Sequence, residues 1–265
     1  MSLSAITAAV PDEPTETRKL LLLVWGVTIA TYLLTGRGAE QGVSTDDAMR
    51  LVQVRDLLAG QGWFDVVQYR LNPPEGVAMH WSRLIDLPIA ILIRAAELAL
   101  PTATVERLVL TVWPAGLLLV LLFGVARVAR ELADDTAARL ALIFAAMIAP
   151  LLQHFRPGAI DHHGVQLALL VWSTALSMRE GTRDAALAGA LCALSLAIGQ
   201  EMAPAIAGVA GFIAVRWIVR GAPSRDPAAA LECHSRRLCS LSSSRRCRPR
   251  AIWLRCATRY RSFRS

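Results

Sequence analysis

Charge is scarce in this chain. Only 18% of its 265 residues are Asp, Glu, Lys or Arg, against roughly a quarter in an ordinary soluble domain. Cysteine is rarer still, and Cys192 is the only one before residue 233. The other four, Cys233, Cys239, Cys247 and Cys256, are separated by five, seven and eight residues, a spacing that holds no tetrahedral zinc. No small-residue cleavage site follows the first apolar run, which is therefore read as an uncleaved span and not as a signal peptide. Nor does the net charge of +7 point to nucleic acid. Residues 232–265 hold ten Arg and one acid, Glu232, a net +9, so the preceding 231 residues carry −2.

What the chain has is apolar residues in blocks: 54% are hydrophobic, and mean hydropathy is +0.43. Long uncharged stretches bounded by Arg or Lys predict membrane spans. Leu20–Gly36 lies between Lys19 and Arg37, and Leu108–Ala126 between Arg107 and Arg127. Leu140–Phe155, Gly164–Met178, Ala185–Gln200 and Met202–Val219 follow. The expected fold class is an all-α polytopic membrane protein of about six spans. Residues 1–19 form a polar N-terminal segment, 20–220 the transmembrane domain, and 37–105 a long loop carrying amphipathic helices. In that loop, Ser44 with Asp47 three residues on fits a capping box, and Gly60 and Gly62 close the helix it starts. Residues 84–100 are apolar but carry Asp86, Arg94 and Glu97, which suits an interfacial helix better than a span.

Short loops set the topology. Arg127, Arg130 and Arg139 share one side with Arg179, Arg183, Arg216, Arg220 and Arg225, whereas the opposite short turns hold only Arg156. The positive-inside rule places the first set in the cytoplasm, with the N-terminus, and places the long loop in the periplasm of an inner membrane. Asp46, Asp47, the Asp161-His162-His163 turn and Glu201 then all fall on the periplasmic side, although none of them was used to orient the chain. Asp161 and His163 could ligate one divalent cation, with Asp161 equally suited to cap the helix that follows. Asp46 and Asp47 could supply a ligand or a base, and capping by Asp47 is compatible with either. His162 and Glu201 are further candidates, Glu201 because an ionisable group at membrane depth is costly. Arg70, His80 and Arg83 are cations suited to a lipid-linked phosphate, or else to anionic headgroups.

Taken together, Thr45-Asp46-Asp47-Ala48-Met49-Arg50, Asn72-Pro73-Pro74-Glu75-Gly76 and Arg156-Pro157-Gly158-Ala159-Ile160-Asp161-His162-His163 resemble motifs of the membrane GT-C glycosyltransferases. The likeness is greatest to the catalytic subunit of oligosaccharyltransferases, and it covers roughly residues 20–220. The resemblance implies metal-dependent transfer of a sugar from a polyprenyl-phosphate carrier to a periplasmic acceptor. It implies Mn²⁺ or Mg²⁺ held by Asp47, Asp161 and His163, with Asp47 also orienting the acceptor and Asp46 as an auxiliary acid. Members of that family have more spans and, in oligosaccharyltransferases, a periplasmic C-terminal domain. Residues 221–265 break the pattern: apolar periodicity stops after Val219, and from residue 232 the chain has Arg, Ser and Cys with no Lys and no Gly. An out-of-frame tail on a truncated and inactive transferase fits this usage, as does a basic lipid-binding tail. The rival functions are a non-catalytic membrane fragment and a transporter. Spans one to three lack the acids that a transporter would need.

Overall fold

The computed structural model describes residues 14–35 and 44–220. The tail reading, most of the N-terminal segment and residues 36–43 lie outside the described residues.

The described chain is mostly helical. Eight helices follow one another: α1 (Thr15–Leu34), α2 (Thr45–Leu58), α3 (Asp86–Glu97), α4 (Thr102–Leu132), α5 (Asp135–Met147), α6 (His162–Ser177), α7 (Thr182–Ile198) and α8 (Ala203–Arg220). Among the described residues the only strands are β1 (Val67–Gln68) and β2 (Val77–Ala78), which pair antiparallel with Val67 opposite Ala78. The turn expected at Asn72–Gly76 joins them.

Two helices are long and apolar enough to cross a membrane: α1 and the Thr104–Leu132 stretch of α4. On α1, Leu22, Leu23, Val27, Leu33 and Leu34 are exposed. A helix apolar on its outward side is unfavourable in water and suited to lipid. The other predicted spans are shorter as built. Helices α5, α6 and α7 have 13, 16 and 17 residues. At 1.5 Å per residue they reach roughly 20–26 Å, less than the ~30 Å hydrocarbon core.

The predicted span Leu140–Phe155 is not one helix. Helix α5 stops at Met147, and Ile148 leaves the helical region at φ −86°, ψ 89°. A single turn, Ala149–Leu152, and a 3₁₀ turn, Gln153–Phe155, then carry the chain on. A proline at position 150 accounts for the break, because it has no N–H to donate back along the helix.

The chain divides into two compact units. Among the described residues, the first comprises 14–35, 44–61 and 87–164, the second 62–86 and 165–220. In the first, α1, α4 and α5 pack on one another. Leu21, Leu118, Leu121, Leu122 and Leu142 there are at most 1% exposed. Trp25 Nε1 donates to the Ala115 carbonyl at 2.8 Å, and Tyr32 Oη to that of Leu152 at 2.7 Å. Helix α2 starts at a complete capping box on Ser44 and Asp47 and ends where Gly60, at φ 101°, turns the chain. There Gln61 N bonds Asp56 O and Gly60 N bonds Leu57 O, which satisfies two of the last carbonyls.

In the second unit, Cys192 of α7 and Ile206, Val209 and Ile213 of α8 form a buried apolar cluster with Leu170, Leu196 and Met202. Arg216 donates to the carbonyls of Ser177 and Arg179 at 2.8 and 3.0 Å. A cation there offsets the negative end of α6.

A candidate metal and carboxylate site

The site begins with a proline far from it in sequence. Pro114, inside α4, has no N–H, so the carbonyl four residues back, Leu110, loses its partner along the helix. Gly158 N takes that place, donating to Leu110 O at 2.7 Å. Gly158 sits at φ 92°, a conformation open to glycine at little cost. The loop that leads to Asp161 is thereby pinned to the long helix.

Asp47 supplies the second anchor. Its Oδ1 accepts from the backbone N–H groups of Ile160 and Asp161, both at 2.9 Å, across 113 and 114 residues of sequence. Its Oδ2 accepts from Ser44 N at 3.2 Å and Ser44 Oγ at 2.8 Å. Four hydrogen bonds fill the lone-pair sites of a carboxylate. Asp47 is only 4% exposed. The first acidic motif thus holds the second directly.

Asp161 is held on one oxygen and open on the other. Oδ1 accepts from its neighbour's backbone, His162 N, at 2.6 Å, and contacts His162 Nδ1. A carboxylate only accepts, so the proton of that ring lies on Nδ1. Arg50 Nη2 stands 3.5 Å from the same oxygen and 3.4 Å from the ring nitrogen. Arg50 and His162 are 1% and 3% exposed, so this backing is dry. Burial alone would push the Asp161 carboxyl up. The hydrogen bond and charge of His162, with its backbone N–H and the His163 ring, outweigh burial and hold Asp161 at about 2. Oδ2 faces His163 Nε2 at 3.5 Å.

A cavity of about 250 Å³ opens at this point, lined by Asp46, Asp47, His154, Arg156, Asp161 and His163 among others. His154 meets His163 edge to face, with ring centroids 5.3 Å apart. Three carboxylates share the cavity with one guanidinium, a balance that favours a bound cation.

The donor set fits a divalent metal. Two donors each 2.0–2.2 Å from an ion lie about 2.8–3.1 Å apart at octahedral angles and about 3.3–3.6 Å apart at tetrahedral angles. The Asp161 Oδ2 to His163 Nε2 separation is 3.5 Å. Asp161, His162 and His163 also form the one group of three potential ligands among the described residues. His162 is buried behind Asp161 and does not line the cavity.

Of the residues singled out from sequence, Asp46, Asp47, Asp161 and His163 come together here, with His162 behind them. The others belong to the second unit. Arg83, expected as a phosphate ligand, is 3% exposed; it donates to Asp65 O and lies 3.8 Å from Asp86. A guanidinium so enclosed does not present itself to a ligand. Arg70 bonds Gln68 Oε1 at 3.0 Å, and His80 stacks by Trp81 at 5.3 Å between ring centroids. Glu201 accepts from Gln166 Nε2 at 3.3 Å.

Two ionisable cavity residues, His154 and Arg156, were not among the sequence candidates. His154 was absorbed into the predicted span Leu140–Phe155. Arg156 oriented the chain and opened the second acidic motif without a role of its own, yet its side chain lines the cavity, and its Nε has no hydrogen-bond partner among the described residues. The available signal for His154 was clustering: three of the five histidines fall between residues 154 and 163.

No protein-family model matches this chain, and no curated protein matches it.

Proposed function

We propose that the chain is a membrane-embedded, metal-dependent glycosyltransferase of the GT-C type, using a polyprenyl-phosphate-linked sugar. In this reading six segments cross an inner membrane, with the cavity on the periplasmic side. The observation that carries it is the Asp47 carboxylate, which bonds the backbone of Ile160 and Asp161 and so unites two separate acidic motifs at one cavity. Chance surface acids are not cross-linked in this way.

Asp161 Oδ2 and His163 Nε2 would hold the cation, Mn²⁺ or Mg²⁺. A bound divalent ion would neutralise charge developing on a leaving phosphate. The protein's own contributions are positional. Arg50 and His162 fix one oxygen of Asp161, so the other is presented in a single direction. Arg156 offers a planar guanidinium with free donors at the cavity wall, which suits a phosphate oxygen. In this role it replaces Arg70, His80 and Arg83. An exposed carboxylate at the rim can orient or deprotonate an acceptor hydroxyl.

The test is transfer from a radiolabelled polyprenyl-phosphate sugar by the full chain in proteoliposomes, with and without Mn²⁺. Metal-dependent loss of label from the lipid, abolished by Asp161→Ala, supports the proposal. Absence of both transfer and Mn²⁺ binding by the wild-type protein overturns it in favour of a non-catalytic membrane protein.

A further inference from the structure

The resemblance to GT-C enzymes makes Asp47 the metal ligand and Asp46 its auxiliary. The hydrogen bonds argue for a different division of labour. We infer that Asp47 is a positioning residue that assembles the site, and that Asp46 is the cation-facing carboxylate of the pair. The Asp46 half of this inference rests on the reading of the cavity as a divalent-cation site. The Asp47 half does not.

Consider what each carboxylate has left to offer. Asp47 is 4% exposed, and its two oxygens accept four hydrogen bonds, from Ile160 N, Asp161 N, Ser44 N and Ser44 Oγ. Three of those donors are backbone groups, which cannot turn away to release a lone pair. If Asp47 bound a cation through Oδ1, a buried backbone N–H of the Ile160–Asp161 pair would lose its acceptor, and through Oδ2 the contact with Ser44 that starts α2 would be given up. The cost of stranding a buried donor is comparable to the gain from a single ligand bond. Asp46 stands in the opposite position. It is exposed, it lines the same cavity, and it occupies the first turn of α2 with no role in the capping box. Its carboxylate is therefore free to turn toward a cation held by Asp161 and His163.

The geometry gives Asp47 a distinct task. Ser44 and Asp47 begin α2, and the same Asp47 carboxylate fixes the backbone of Ile160 and Asp161. Removing it detaches the Asp161 loop from α2. Substituting Asp46 leaves that attachment whole.

The experiment compares Asp46→Asn, Asp47→Asn and Asp47→Ala in the full chain reconstituted in nanodiscs. Three quantities are read: the thermal unfolding midpoint, deuterium uptake by the peptide covering residues 158–162, and Mn²⁺ affinity by electron paramagnetic resonance. Asp46→Asn is expected to leave the midpoint and the uptake as in wild type and to weaken Mn²⁺ binding by about tenfold or more. Asp47→Ala is expected to lower the midpoint by roughly 4–10 °C and to speed uptake at 158–162. Asp47→Asn should shift both in the same direction by less, since the amide keeps one acceptor, and it decides the matter if the alanine variant does not fold. Wild-type midpoint and uptake in Asp47→Asn, together with tenfold weaker Mn²⁺ binding, would make Asp47 the ligand and overturn the inference. So would wild-type Mn²⁺ affinity in Asp46→Asn. If the wild-type protein binds no Mn²⁺, the cation-site reading fails and the Asp46 assignment with it. Uptake at 158–162 then still decides whether Asp47 assembles the loop.

Discussion

The two units of this protein use similar apolar helices to different ends. The first gathers Asp46, Asp47, Asp161, His154, His163 and Arg156 around one cavity and backs them with the buried Arg50 and His162. The second also has a groove, lined by Leu170, Thr174, Ser177, Ala205, Gly208, Val209 and Phe212, which contains no ionisable group. Among its helices, two polar side chains serve helix ends: Arg216 bonds the carbonyls of Ser177 and Arg179, and Gln166 those of Ser195 and Gly199. The contrast shows how to separate a site from a scaffold in an apolar protein. In the scaffold, polar side chains satisfy helix ends; in the site, carboxylates are fixed by backbone and side-chain donors brought together from distant segments, beside open space.

The sharpest way to break this contrast is Asp161→Ala. It removes the carboxylate beside the buried Arg50 and should cost about 3–5 kcal/mol of stability together with all Mn²⁺ binding. Thermal unfolding and Mn²⁺ titration report the two losses. Unchanged stability would mean that Arg50 does not depend on Asp161. Next in size is Pro114→Ala. An N–H at position 114 would compete with Gly158 for the Leu110 carbonyl, so α4 should become more regular while the Asp161 loop loosens. Mn²⁺ affinity should fall by about tenfold, as for other changes that disturb ligand support, with faster exchange at residues 158–162.

A smaller effect is expected in the scaffold. Arg216→Ala removes two hydrogen bonds to helix-terminal carbonyls and should cost roughly 1–2 kcal/mol, with Mn²⁺ affinity unchanged. Least of all is expected from Glu201→Gln, which retains a partner for Gln166. Stability within about 0.5 kcal/mol of wild type and undiminished Mn²⁺ binding would keep Glu201 outside the site. Loss of Mn²⁺ binding in Glu201→Gln would instead show that the second unit contributes to the chemistry.

How much of this was legible in the sequence depends on the range of each interaction. The Ser44–Asp47 capping box and the Gly60 stop were readable because all their partners lie within a few residues. The two helices long and apolar enough to cross a membrane, α1 and the Thr104–Leu132 stretch of α4, were legible because length and composition alone mark them. The tie from Asp47 to Ile160 and Asp161 carries no local signal, since it spans more than a hundred residues. The break at Ile148 was missed because Leu140–Phe155 is uniformly apolar apart from one proline and its last few residues, and hydropathy does not register a missing N–H. That same error concealed His154. Arg83 was misjudged for a different reason: only packing reveals that it faces Asp65 and Asp86 rather than an open surface. Strands of two residues, such as β1 and β2, are too short for an alternating pattern to emerge.

The bond between Asp47 and the Ile160–Asp161 backbone also fixes an order of events during synthesis. Helix α2 can form its capping box as soon as it emerges, but the other half of the Asp47 carboxylate has no partner until residues 160 and 161 have been made and delivered to the same side. At 5–20 residues per second, the intervening 113 residues correspond to roughly 6–23 s. Throughout that interval Asp47 has half of its native contacts missing, so α4 and α5 must be made before the cavity exists. The site is a late product of the chain's assembly, completed only when its two distant halves meet.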